Sequence, residues 1–412
     1  MAVFIAAIHM IRIRSAHVPH NGVMDRALHA HRLLLRAGLS MAHMFAWIFI
    51  FEYFYALSND LARSLAGVVL LYALVQFVTG VLTPISAAHL RHGTRRVLIW
   101  GVIFAASAFV VLGATLGGYF DSSLAWSFAL FAILLGAYRA LYWIPYTLTA
   151  SGIPETPMRA YLEVLIALMP LFAGLTVVSV PFADVRLLFG AAALIGLSAL
   201  PVLYLSDTYE RFSWPYMYTF SQLFRRKNHG LVLQSFLDGL QGAALFLVWP
   251  LAIFLILEAS YIALGLVFTL TLLVILLLRR IYKRLTRTFN LHESPTVYTI
   301  LVVSGWIGRL AAGTPLGVIV ADSYAYVASP ERGTYADPFL FEQASDRGSF
   351  VDEYTALKEI ALAGGRIALC TVVFFLAFAF QLPVVFAIAL SIAAAAGGIS
   401  VLIARYRPAP TF

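Results

Sequence analysis

The sequence predicts an all-α membrane protein of twelve transmembrane helices arranged as two pseudo-symmetric six-helix bundles. Three observations carry that expectation. About a dozen long apolar runs fill residues 37–404, each near the roughly 20 residues that cross a bilayer core. Nearly all of the 28 Lys and Arg fall in alternate gaps between those runs. The 412 residues are 61% hydrophobic and 12% charged, against roughly 25% charge in a soluble domain. Hydrocarbon cannot satisfy bare backbone polar groups, so each run must close its own hydrogen bonds as a helix.

The elements follow in order. Residues 1–36 form an N-terminal segment whose opening, MAVFIAAIHMIRI, lacks a basic start and a cleavage site. No removed signal peptide is expected there, and the stretch is too short to span, so it belongs at the interface. The first bundle, 37–206, takes spans 37–57, 64–88, 97–117, 124–148, 160–182 and 187–206. A polar, aromatic linker at 207–229 leads to the second bundle, 230–404, with spans 230–257, 260–278, 296–311, 314–328, 367–381 and 383–404. Residues 405–412 form a tail. A polar loop at 329–366 ends in FVDEYTALKEIALAGG, which reads as an amphipathic helix with a glycine stop.

Charge sets the topology. With the N-terminus in the cytoplasm, only Arg63 and Arg186 fall outside, and only Arg139 and Arg309 within spans. Both termini, the linker and the 329–366 loop are then cytoplasmic, in a multi-pass protein of the cell's inner or plasma membrane. At 296–328 only Gly313, Thr314 and Pro315 can turn, so each helix is about 25 Å long and one long tilted helix is the alternative. A single helix there would strand Arg332, Arg347, Lys358 and Arg366 outside, which favours two.

Several function classes drop out. The net charge of +8 sits beside spans rather than on one face or arm, so no nucleic-acid partner is expected. Cys370 is the single cysteine, which excludes an intrachain disulfide and a cysteine-rich metal site. His9, His17, His20, His29 and His31 crowd the N-terminal segment without a second ligand set and read as a solvated surface helix. A nucleotide-binding loop is missing, so no ATP-driven step, no cofactor and no metal are expected.

In each half the second span ends in a basic cluster, LRHGTRR in the first and LRRIYKRLTR in the second. Repeats of this kind are a transporter signature. With six plus six spans and a central linker, the chain resembles the major facilitator superfamily from about residue 37 onward. The family's loop between its second and third helices, G-x-L-A-D-R-x-G-R-R, is met here by SAAHLRHGTR, Ser86–Arg95. It keeps Arg91, Gly93 and Arg95, with Arg96 following, but has Ser86 for the first Gly and Leu90 for the Asp. Leu135 and Arg139 match the helix-4 pattern L-x-x-x-R-x-x-Q with Tyr142 for the Gln, and the Gly-Pro motif of drug antiporters is absent. The resemblance implies a central cavity lined by helices 1, 4, 7 and 10 and a gating loop at Arg91, Gly93, Arg95 and Arg96.

Ionisable groups inside spans are functional candidates because charge at mid-membrane costs a few kcal/mol. Glu52, Arg139, Glu163, Asp238 and Arg309 stand out, and Tyr142 and Gln241 lie three residues beyond Arg139 and Asp238 on the same helical faces. Arg139 is expected to pair with Glu163 or an anionic substrate, with Asp238 or Glu52 taking up a proton. Arg309 reads as structural, Trp249 with Pro250 and Tyr142 with Trp143 as packing or interface aromatics with stacking on a substrate ring the alternative, and Ala396–Gly398 as a close helix contact. The function expected is a monomeric secondary transporter, solvated by membrane lipid, that moves a small-molecule solute by alternating access with proton coupling. The alternatives are a membrane-embedded enzyme acting on lipid-linked substrates, or a transporter-like sensor. Arg139→Ala and Asp238→Asn are each expected to change uptake or its pH dependence; unchanged transport in both refutes these roles.

Overall fold

The structure is a computed structural model that describes residues 22–120, 123–150, 157–179, 183–207, 209, 212, 214–289, 295–328 and 353–405. Those residues form helices and connecting turns. The first half contains α1 (Gly22–Ser58), α2 (Leu61–His89), α3 (Thr94–Leu116), α4 (Leu124–Ala150), α5 (Pro157–Ser179) and α6 (Ala183–Leu197, extended by the turn Ala199–Val202). In the second half, α7 runs as His229–Ala243, a π-helical turn Ala244–Val248 and Trp249–Ile256. It is followed by α8 (Tyr261–Phe289), α9 (Pro295–Leu310), α10 (Pro315–Ala328), α11 (Glu353–Ala379) and α12 (Leu382–Arg405). A short helix, Tyr216–Ser221, lies in the linker.

Ten of the described helices are long and apolar enough to cross a membrane, and Thr299–Leu310 is a shorter apolar one. Large side chains such as Leu70, Phe77, Leu277 and Phe375 are more than half exposed, which suits a lipid solvent and not water. The protein is an integral, multi-pass membrane protein.

Packing reveals the repeat. In the first half α1 packs on α2, α5 and α6, α4 on α2 and α3, and α6 on α3 and α5. Six helices later each pairing recurs: α7 with α8, α11 and α12, α10 with α8 and α9, and α12 with α9 and α11. The halves meet chiefly along two seams, α2 on α11 and α5 on α8, which the same shift exchanges. Lipid offers no hydrophobic force between helices, so close backbone approach has to supply the contact. At the α5–α8 seam a Cβ on Gly265 would strike the Pro170 carbonyl, and within the second half one on Gly365 would strike the Phe236 carbonyl.

The structure settles the ambiguous stretch as two helices. Thr314 accepts from the Gly317 amide at 3.1 Å and Pro315 opens α10, a start signal built from a capping hydroxyl and a proline. Antiparallel pairing is shown by the Ser304–Tyr324 hydroxyl contact at 2.8 Å and by Gly305 against Ala325.

Three boundary expectations are corrected. The helix at 353 runs straight through Gly364 and Gly365 into span 11, because these glycines admit α7 and do not stop the helix. Lys358 and Arg366 are therefore buried helix residues and not loop charges. At the N-terminus α1 already begins at Gly22, and His31 is fully buried, not solvated: Nδ1 donates to the Ser198 carbonyl at 2.8 Å and Nε2 meets the Tyr142 hydroxyl at 3.0 Å. Residues 1–21, with His9, His17 and His20, and 329–352 lie outside the described residues.

Gly265→Val places its methyl groups on a backbone carbonyl, so it is expected to destabilise by about 1–3 kcal/mol, read as a lower melting midpoint in detergent. Gly190→Ala, with open space around it, is the control expected to lose nothing; equal melting of the two variants refutes the tight seam.

Candidate functional site

A cavity of about 40 Å³ lies between α1, α5, α7, α8 and α10, bordered by Ser40, His43, Pro170, Trp249, Thr271, Asp322 and Tyr326 among others. One water needs roughly 10–15 Å³ by this measure, so the space suits about three or four waters. Both halves contribute to its wall, and they touch on either side of it. Toward the face that carries Arg91–Arg96 and Arg225–Lys227, here called the basic face, Ala356 of α11 packs on Ala87, Leu90, Val97 and Ile144. Toward the opposite face the Tyr261 hydroxyl of α8 donates to Glu52 of α1, beneath rings of Phe45, Phe49 and Phe254.

Prolines shape the wall. Pro250 cannot donate to the Phe246 carbonyl, and α7 absorbs this as the π-helical turn Ala244–Val248. That turn presents Leu245 and Phe246 to the cavity along with Trp249. In α5, Pro170 likewise leaves the Ile166 carbonyl without its helical donor, and the Ser40 hydroxyl of α1 donates to it at 3.5 Å. One residue on, the Leu171 amide donates to the Thr269 hydroxyl of α8 at 3.1 Å, a cross-seam bond.

The charge at the cavity is an ion pair. Arg309 Nε lies 2.6 Å from Asp322 Oδ1, and Trp249 Nε1 donates to both carboxylate oxygens at 3.0 Å. Both charged residues are about 5% exposed or less. The Arg309 guanidinium also lies 4.6 Å from the Trp306 ring centre and 5.9 Å from that of Tyr326. The hairpin of α9 and α10 brings the pair together, and α7 supplies the third member. The Thr271 hydroxyl on this wall is buried with no hydrogen-bond partner.

The sequence candidates are placed elsewhere. Arg139 interacts electrostatically with Arg366 and Glu359 of α11, Tyr72 of α2 and Tyr138, so its carboxylate neighbour comes from α11. Glu163 is buried on α5, which packs against α1, α6 and α8 and not along α4. Tyr142 is spent on His31. Asp238 accepts from the Ser400 hydroxyl of α12 at 2.8 Å and from Gln241 at 3.2 Å, a tie between α7 and α12. Glu52 joins α1 to α8. None of these borders the cavity, and α4 contributes nothing to it, because α5 and α8 occupy that side. Trp249 and Pro250 do border it. Gly397 packs on Gln241 and Val302, and Gly398 on Val303, the close helix contact expected of that stretch.

Asp322 was missed by sequence reasoning although it lies inside span 10, where the rule that flagged Asp238 applies to it equally. In the loop after α2, Gly93 has φ of 105° and a side chain there would strike Asp207. Asp207, five residues beyond the turn that extends α6, accepts from the Arg95 amide at 3.1 Å, and Arg95 donates to the Leu203 carbonyl at 3.2 Å.

Removing one member of a buried pair leaves a charge in low dielectric, at a cost of about 3–5 kcal/mol. Asp322→Asn is expected to lower the melting midpoint strongly, and adding Arg309→Met to recover most of that loss. A double variant no more stable than the single one refutes the ion-pair account.

No model of a known protein family matches the chain, and no curated protein does. Solved structures do match. A bacterial homologue of the iron transporter ferroportin in its inward-facing state superposes with a TM-score of 0.59 at 16% identity, over 92% of this chain and 97% of that one. The nucleoside transporter NupG gives 0.57 at 14%, over 93% and 100%. A POT family transporter in complex with 5-aminolevulinic acid gives 0.59 at 12%, over 92% and 95%. The chain therefore shares its overall fold with these structures, as its expected twelve-helix architecture implied.

Proposed function

We propose that this protein is a secondary transporter in which residues 37–206 and 230–404 act as two domains that rock about the α2–α11 and α5–α8 seams. The observation that carries the reading is the small cavity beside the Arg309–Asp322 pair, walled by helices of both halves, with further contacts between the halves toward each face. At about 40 Å³ the cavity holds a few waters and no solute, so in this reading a solute enters only when one set of these contacts parts. The similar structures are named as a homologue of an iron transporter, as nucleoside and peptide transporters and as a POT family transporter in complex with 5-aminolevulinic acid, which supports a small-molecule solute and transport over a lipid-linked enzyme.

In this reading the basic face is cytoplasmic, both termini are inside, and the protein works as a monomer in the cell's inner or plasma membrane. Glu52 with Tyr261 forms the outer closure, and Ala356 with Ala87 and Leu90 the inner one. The gating loop, Arg91 to Arg96, braces the inner end of the first domain. Asp238 and Gln241 hold α7 to α12 so that the second domain moves as a unit.

A cross-link across the inner closure tests the rocking. Ala356 of α11 and Ala87 of α2 share one buried apolar cluster toward the basic face, at the end of the seam and away from the pivot. In a Cys370→Ser background, oxidised Ala87→Cys/Ala356→Cys protein in proteoliposomes is expected to stop solute flux, with reductant restoring it. Undiminished flux in fully cross-linked protein would mean that the halves do not part there.

A further inference from the structure

Two buried guanidinium groups lie within electrostatic reach of one another at α2, which packs on both α4 and α11, on the seam opposite the cavity. Arg139 of α4 is 4% exposed and Arg366 of α11 is 1% exposed, and each feels the other's charge. Tyr72 of α2 interacts with both. Arg366 Nη1 donates to Gln76 Oε1 of α2 at 3.3 Å, a hydrogen bond between the halves. The Tyr72 hydroxyl and the Gln76 amide nitrogen are fully buried with no hydrogen-bond partner. Both unspent groups can donate, and they face a pair of cations.

We propose that this seam is a binding site for a small oxyanion, a carboxylate or phosphate group on the transported solute, clasped by Arg139 and Arg366 with Tyr72 and Gln76 completing the donor set. The inference rests on the transport reading. Its chemistry follows from who carries what: Arg139, Tyr72 and Gln76 belong to the first half, Arg366 and Glu359 to the second. Closing the halves presses two like charges together in low dielectric, where repulsion is strong. An oxyanion between them turns that repulsion into two charge-assisted contacts, so the filled site closes more readily than the empty one. Glu359 holds a negative charge near Arg139 and gives way as the solute's own anion arrives.

The test is thermal unfolding of the purified full-length protein in detergent with inorganic phosphate, succinate or lactate, at ionic strength fixed with sodium chloride, and with glucose and uridine as neutral probes. At least one oxyanion is expected to raise the midpoint saturably. Arg139→Gln and Arg366→Gln should each weaken the apparent affinity about tenfold or more, and Tyr72→Phe by less. A rise of equal size in wild type and variants marks a general salt effect and overturns the proposal, as does a saturable shift with glucose or uridine and none with the three oxyanions. In that last case the transport reading survives; no shift with any probe and no flux of any of them in proteoliposomes removes both. Should the Gln variants elute as aggregates, Arg139→Lys and Tyr72→Phe decide, since undiminished oxyanion affinity in both refutes the site.

Discussion

Everything polar in this protein hangs from backbone contact between helices. Because lipid tails are as apolar as leucine, nothing like the hydrophobic effect drives two helices together inside the membrane. What remains is van der Waals contact, which is large only where small residues let main chains touch. The seams supply it: Gly265 lies on the Pro170 carbonyl and Gly174 on that of Tyr261. Cross-half hydrogen bonds stand beside these contacts, Leu171 to Thr269 next to the first and Tyr261 to Glu52 at the second. The bonds are strong because the seam excludes water, and the seam is tight because glycine leaves no side chain in the way. Rocking about such seams changes few contacts near the pivot and many at the two ends, which is the division of labour that alternating access needs.

The fold was legible because its rule is one-dimensional. Length and apolarity mark a span wherever lipid is the solvent, and alternation of basic loops fixed even the doubtful hairpin of α9 and α10. The same rule failed at α11 for a physical reason. Lys358 and Arg366 looked like loop charges, and Gly364 and Gly365 like a stop, yet other helices shield those charges and the glycines exist to admit α7. Sequence hydropathy cannot tell a charge facing water from one facing a partner helix. The site was less legible still. That Asp322 is intramembrane follows from its place in the chain, but that it meets Arg309 and Trp249 depends on which way three helices turn. Arg139 was flagged by its place inside span 4, while Arg366 was hidden by the misread helix start, so the nearness of two cations could not be seen.

The loop between α2 and α3 shows how a missing residue can be replaced in space and not in sequence. Leu90 stands where the related pattern has an aspartate, and the loss of that carboxylate argues against a working gate. In the fold, however, Asp207 arrives from beyond the end of α6, fits into the gap that Gly93 leaves by having no side chain, and accepts from the Arg95 amide at the start of α3. A carboxylate at a helix N-terminus satisfies an orphan donor and complements the helix dipole, so the first turn of α3 is held by a group 112 residues away in the chain. Its partners are all in the first half. The clamp therefore fixes α2, α3 and α6 to one another and leaves closure between the halves to the apolar contact of Ala356 with Ala87 and Leu90. In the proposed transport cycle an apolar latch carries no charge that must be rehydrated when it opens, so parting the halves at the basic face costs less there than separating a buried ion pair would.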